Sequence, residues 1–207
     1  MPIRIGVFAG IYGDEPEGVR ALAQLARLLE SRPDLARGYC LFLYPVCNPT
    51  GLEDCTRHSR SGKDLNREFW RNSSEPEVRL LQAQLVSQNF AGIISLHTKG
   101  ESRGFCGSVR GPRPTRRLLR PAISAAAELV PINSDRRDER FRGKDGLSEE
   151  AYEGVLSAPP KTRPRPFELR LGTPGQAPVF LRELALVVAL RSILTEYRKS
   201  IADAPNL

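Results

Sequence analysis

Histidine is scarce in this chain, with only His58 and His97 among 207 residues, so few side chains can act as a base near neutral pH. No G-x-S-x-G segment is present, which excludes a serine hydrolase built on a nucleophile elbow. The four cysteines, Cys40, Cys47, Cys55 and Cys106, form no C-x-x-C pair, so neither a zinc ribbon nor a dithiol redox motif is indicated and buried free thiols are expected. The first glycine-rich turn also falls short of a dinucleotide fingerprint. Gly10, Gly13 and Gly18 do not make G-x-G-x-x-G, and Asp14, Glu15 and Glu17 put negative charge where a pyrophosphate needs helix N–H groups. No apolar run is long enough to span a bilayer, and the chain enters a strand-like segment at Ile3 without the apolar region of a signal peptide. These absences set the expectation of a cytoplasmic protein with no membrane partner.

What is present suits one well-buried α/β domain covering residues 1–207, given a 40% hydrophobic composition. The net charge of +7 is carried largely by arginines, concentrated at 103–120 and 136–142. Aromatics do not interleave with them and no nucleic-acid motif occurs, so a solvated basic face with no nucleic-acid partner is expected. Periodicity places strands at 3–9, 39–44, 92–96 and 166–171. Helices are expected at 19–29, 76–87, 115–130 and 179–198. Strands alternating with helices predict a sheet covered on both faces. The long polar stretches at 45–74 and 131–166 are read as loops of the kind that carry function. Tyr12, Glu15, His97 and Glu168 are placed at or just beyond strand ends, the edge where open α/β sheets bind ligands.

Five short motifs follow in order along the chain. They are Tyr12-Gly-Asp-Glu15, Asn48-Pro-Thr-Gly51, Asp64-Leu-Asn66-Arg67, Ser95-Leu-His97-Thr98 and Phe167-Glu168-Leu-Arg170. Together they resemble the metallocarboxypeptidase family, the carboxypeptidase A-like zinc peptidases. The succinylglutamate desuccinylase and aspartoacylase relatives share an Asp-Leu-Asn-Arg motif of the same kind. The resemblance implies an α/β fold with a mixed sheet flanked by helices on both faces, of the phosphorylase/hydrolase-like type. It implies a hydrolase that cleaves a C-terminal amide or peptide bond with a metal-activated water. Deacylation of N-acyl amino acids and non-catalytic binding of peptide C-termini are the alternatives, and all three require a ligand with a free carboxylate.

By the same resemblance the metal is zinc, with Glu15 and His97 as two ligands and Tyr12 in the place of the first histidine. A neutral phenol is a poor zinc ligand, with an ordinary pKa of about 10. Tyr12 therefore admits three readings: a phenolate forced by a closely fitted metal, a centre that no longer holds zinc, or a ligand recruited from elsewhere such as His58 or a thiol. Asn66 and Arg67 correspond to the clamp on the substrate carboxylate, a task that suits the planar fork of arginine. Arg57, with Arg60 as its neighbour and competitor, corresponds to the group that polarises the scissile carbonyl. Glu168 corresponds to the general acid/base. Outside the resemblance each has a plainer role: His97 a satisfied buried histidine, Glu15 a first-turn carboxylate, Arg67 a surface ion pair, Glu168 a structural salt bridge. No tyrosine is assigned as a cover for the substrate, since the spacing of Tyr152 does not fit that role.

Overall fold

Beyond the exposed Arg4, residues 5–8 are apolar on both faces of the strand they form because both faces are covered, as expected of a strand inside a parallel sheet. The computed structural model describes residues 2–100, 102–110, 114–133, 143–148 and 156–202. In chain order the elements begin with β1 (Ile3–Phe8), α1 (Pro16–Ser31), β2 (Tyr39–Tyr44), α2 (Pro49–Glu53), α3 (Pro76–Ser87) and β3 (Gly92–Lys99). They continue with β4 (Cys106–Arg110), α4 (Pro114–Ala127), β5 (Gly143–Lys144), β6 (Leu147–Ser148), β7 (Phe167–Pro174) and α5 (Val179–Ala202). The sheet runs β2-β1-β3-β7-β4-β6-β5. The pairs β1–β2, β1–β3 and β3–β7 are parallel, and β4 lies antiparallel to β7.

Two apolar layers hold the sheet. Ile5, Val7, Ile94, Leu96, Leu169 and Leu171 meet Leu22 and Leu25 of α1 and the inner faces of α4 and α5. On the opposite side Phe8 and Ile93 meet Val78, Leu81 and Leu85 of α3, together with Leu65 and Phe69. Helices on both faces of a mixed sheet are thus observed, as the periodicity predicts. Among the described residues no helix is long and apolar enough to cross a membrane.

Several boundaries differ from expectation. Proline at the first helical position, where its missing N–H is not needed, lets α1 begin at Pro16, before the apolar stripe that marked it. The stretch 45–74 contains α2 and a 3-10 turn at Leu65–Arg67. β4 was not expected, because Cys-Gly-Ser-Val-Arg has no clear alternation. β3 runs on to Lys99, so His97 lies within the strand and not beyond its end. Likewise β7 begins at Phe167 and ends at Pro174, which puts Glu168 at its start. The arginine run at 136–142 and Tyr152 lie outside the described residues.

From β1 the chain crosses to β2 on one side and later returns to β3 on the other. The C-terminal ends of β1 and β3 therefore form a topological switch point, where ligand crevices open in such sheets.

Candidate active site

The turn after β1 is held by its neighbour loop. Asn48, fully buried, donates through Nδ2 to the Ile11 carbonyl at 3.3 Å and accepts the Gly51 N–H at 2.9 Å. Backbone bonds from Cys47 to Ala9 and from Asn48 to Gly10 tie the same two segments. Gly13 lies against the Gly51 backbone so closely that a Cβ on it would come within 1.9 Å of the Gly51 carbonyl carbon. The Asn48-Pro-Thr-Gly51 motif is thus a brace: glycine at 13 lets the two backbones meet, and glycine at 51 leaves room for the Asn48 side chain and the His58 carbonyl.

On this support Tyr12, Glu15 and His97 converge. His97 Nδ1 lies 3.2 Å from Glu15 Oε2, and its Nε2 lies 3.3 Å from the Ser95 hydroxyl. The Tyr12 ring sits 5.6 Å from the imidazole, centre to centre. Asn66 donates through Nδ2 to the Tyr12 hydroxyl at 3.2 Å, and the Arg57 guanidinium lies over the tyrosine ring at 3.6 Å. Burial, reinforced by the charges of Arg170, Lys99 and Arg57, holds His97 well below its ordinary pKa, so the ring is neutral. Burial pushes Glu15 up to about 8, against the opposing pull of the Thr98 backbone N–H, Arg57 and Arg170. Tyr12 is also pushed up by burial, more than Asn66 and Arg57 pull it down.

These residues do not fit a three-ligand zinc centre. Glu15 and His97 offer two donors, whereas such a centre takes three protein ligands and an open position. Tyr12 is a protonated phenol engaged by Asn66 and covered by Arg57. His58 is exposed, and among the described residues no group of three or more His, Cys, Asp or Glu side chains is placed to hold a metal.

The arginines that the resemblance assigns to the substrate gather around an internal carboxylate. Arg57 and Arg67 each lie 3.6 Å from the same oxygen of Asp64. Arg67 is 77% exposed in its side chain, open to a ligand from solvent. Asn66 is buried and accepts the Leu156 N–H at 3.0 Å, so it joins the segment at 156–158 to Tyr12. Arg60 turns away to Glu53 and Asp54, which leaves Arg57 as the site arginine.

Glu168 stands toward the start of β7 and is joined to Asn66 through the 156–158 segment that both bond. In the register of β3 and β7, His97 pairs with Gly172, whereas Glu168 pairs with Ile93. The separation of four residues is about 13 Å along a strand. Glu168 accepts the Ala158 N–H at 3.2 Å and lies 4.0 Å from Arg110 and 3.8 Å from Arg165. Burial raises its pKa against these partners. The β7 side chain that reaches the His97 region is Arg170, in register with Ser95. Sequence reasoning passed over Arg170 and Lys99. A signal was available, because parallel strands present ligands at their C-terminal ends and Arg170 stands nearer that end than Glu168 does.

Comparison with known proteins agrees with this architecture. Over 110 residues, 45% of the chain, it is 31% identical to human carboxypeptidase D, and 33% identical to the mouse protein. The chain spans only 8% of the length of these curated relatives. A candidate metallopeptidase from Shewanella denitrificans superposes with a TM-score of 0.78 at 22% identity, covering 94% of this chain and 75% of the other. The metallo-carboxypeptidase of Burkholderia cenocepacia superposes at 0.74 with 15% identity, over 97% and 58%. At those identities the superpositions establish the fold, which is metallocarboxypeptidase-like. The model of the succinylglutamate desuccinylase/aspartoacylase catalytic domain matches residues 3–142, and the chain belongs to that family.

Proposed function

We propose that this chain is a metallocarboxypeptidase-type hydrolase domain that recognises its ligand by a free carboxylate, and that its cleavage of the adjoining amide bond is strongly impaired. Tyr12 carries the second half of this reading. A protonated phenol, held by Asn66 and covered by Arg57, stands where a third metal donor is needed. The first half rests on Arg57 and Arg67, whose convergence on one carboxylate oxygen of Asp64 supports recognition of such a group. Arg57, which lies over the Tyr12 ring, would orient a carbonyl brought beside it. No proton-transfer step is assigned to Glu168, given its position at the start of β7.

Related structures are consistent with this ligand class. The Pseudomonas aeruginosa metallo-carboxypeptidase was crystallised with (2-guanidinoethylmercapto)succinic acid, and the Helicobacter pylori cell shape determinant Csd4 with a tripeptide. The family match keeps an acyl-amino acid beside a peptide C-terminus as the natural ligand, since both present a free carboxylate.

The test is binding of matched peptides with free and amidated C-termini, with product analysis on peptides and acyl-amino acids. Free termini should bind better, and Arg67→Ala should remove most of the preference, as loss of a charge-assisted pair costs about 1.5–3 kcal/mol. Equal binding of free and amidated peptides across a varied set would refute the recognition half. Rapid hydrolysis by protein carrying a full equivalent of zinc would refute the impairment.

A further inference from the structure

One face of the sheet gathers positive charge beside His97. Ser95, His97 and Lys99 of β3 share that face with Arg170 of β7 and Ser108 of β4, because Ser95 and Ser108 are the registered neighbours of Arg170 on either side. Glu168, two residues before Arg170 on the same face, is engaged by Arg110 and Arg165. Glu15 approaches His97 from its Nδ1 side.

Between these side chains the surface opens into a small depression of about 10 Å³, room for one water-sized oxygen and open to solvent on one side. His97, Lys99, Cys106, Ser108, Arg170 and Gly172 line it. Gly172 keeps it open. It is the registered partner of His97, and a Cβ there would stand 3.1 Å from Cys106 Sγ and 3.4 Å from the Lys99 stem. Two cations and a hydroxyl border this space, and they are groups that bind oxyanions. Lys99 and Arg170 also make contacts within the protein. With three and five N–H donors respectively, each can serve an internal partner and a ligand together.

We propose that the depression beside His97 is an oxyanion site, in which Arg170, Lys99 and Ser108 hold a carboxylate or phosphate group next to the place the family gives to a metal. The charges of Arg170, Lys99 and Arg57 already bear on His97. They disfavour a divalent cation here for the same reason that they favour an anion. The inference deepens the carboxylate-recognition reading and rests on it only for the notion that both anionic groups belong to one ligand. A ligand with its terminal carboxylate at Arg57 and Arg67 would bring a second anionic group to Arg170.

Calorimetric titration of the whole chain at pH 7 in the presence of a chelator, with inorganic phosphate and with acetate as separate probes, tests the site directly. Saturable binding of one equivalent of either probe is expected, and tighter binding of phosphate or of acetate identifies which oxyanion the site prefers. Arg170→Gln should weaken it at least about tenfold, as expected for a lost charge-assisted contact. Arg170→Lys should retain most of it. Arg27→Gln, an exposed charge on α1, should leave it unchanged. Should Arg170→Gln not fold, Lys99→Gln gives the same comparison. Absence of saturable binding by both probes, or an equal effect of Arg27→Gln and Arg170→Gln, would overturn the proposal. Loss of oxyanion binding with an intact preference for free peptide termini would sink this inference alone. Loss of the terminus preference with oxyanion binding retained would sink the recognition reading instead.

Discussion

Replacing Tyr12 by histidine should supply the third donor of a His-x-x-Glu turn while weakening the fold that now surrounds the phenol. The hydroxyl accepts one bond from Asn66 and the ring carries Arg57 at 3.6 Å. Loss of the hydrogen bond costs about 0.5–1.5 kcal/mol and loss of the cation over the ring about 0.5–1 kcal/mol at a half-exposed site. Metal-free Tyr12→His should therefore be about 1–2.5 kcal/mol less stable than the parent, a fall of roughly 2–10 °C in melting temperature for a chain of this size. Zinc affinity should move the other way. Loss of a supporting residue around a metal costs about 10–100-fold, so gain of a direct donor should raise affinity by at least that factor. Melting curves with chelator and with zinc, beside a competition titration against a chelating dye, measure both quantities on one sample. Zinc affinity unchanged by Tyr12→His would show that the turn is not a metal site in any form. A parent protein that already holds zinc tightly would show that Tyr12 ligates after all.

Two further outcomes follow from the same geometry. Because burial raises Glu15 to about 8 in the fold from an ordinary 4.5, the native state keeps a proton that the unfolded chain gives up, and stability falls as pH rises between those values. Between pH 6 and pH 9 the loss amounts to about 2–3 kcal/mol at about 1.4 kcal/mol per pKa unit. Urea unfolding of metal-free protein should show this slope, Glu15→Gln should flatten it, and an unchanged slope in the variant would assign it elsewhere. Gly13→Ala should destabilise the fold by about 3 kcal/mol, since its methyl would collide with the Gly51 backbone. A variant as stable as the parent in the same measurement would mean that the brace yields.

Much of the fold was legible because β1, β2, α3 and the start of β3 carry strong periodicity between sharp punctuation. The ends were harder to read where strands run into Thr98, Lys99, Thr173 and Pro174, residues that by themselves suggest a loop. Which side chains meet was legible where the motif sits in a turn, as at Tyr12, Glu15 and Asn66. It was not legible on β7, where a motif of four residues contains two charged side chains on one face and only the register with β3 decides which of them lies nearer His97. Asp64 was visible as part of a motif, but its place between Arg57 and Arg67 depends on a loop path that no periodicity encodes.

The brace from Asn48 and Gly51 fixes the backbone of residues 10–13 without using the side chain of residue 12. Position 12 is therefore a socket, whose occupant can change while the loop that presents it keeps its path. A change of residue there alters the chemistry beside His97 while the backbone is held from outside, so the loop can lose or regain a donor without being rebuilt.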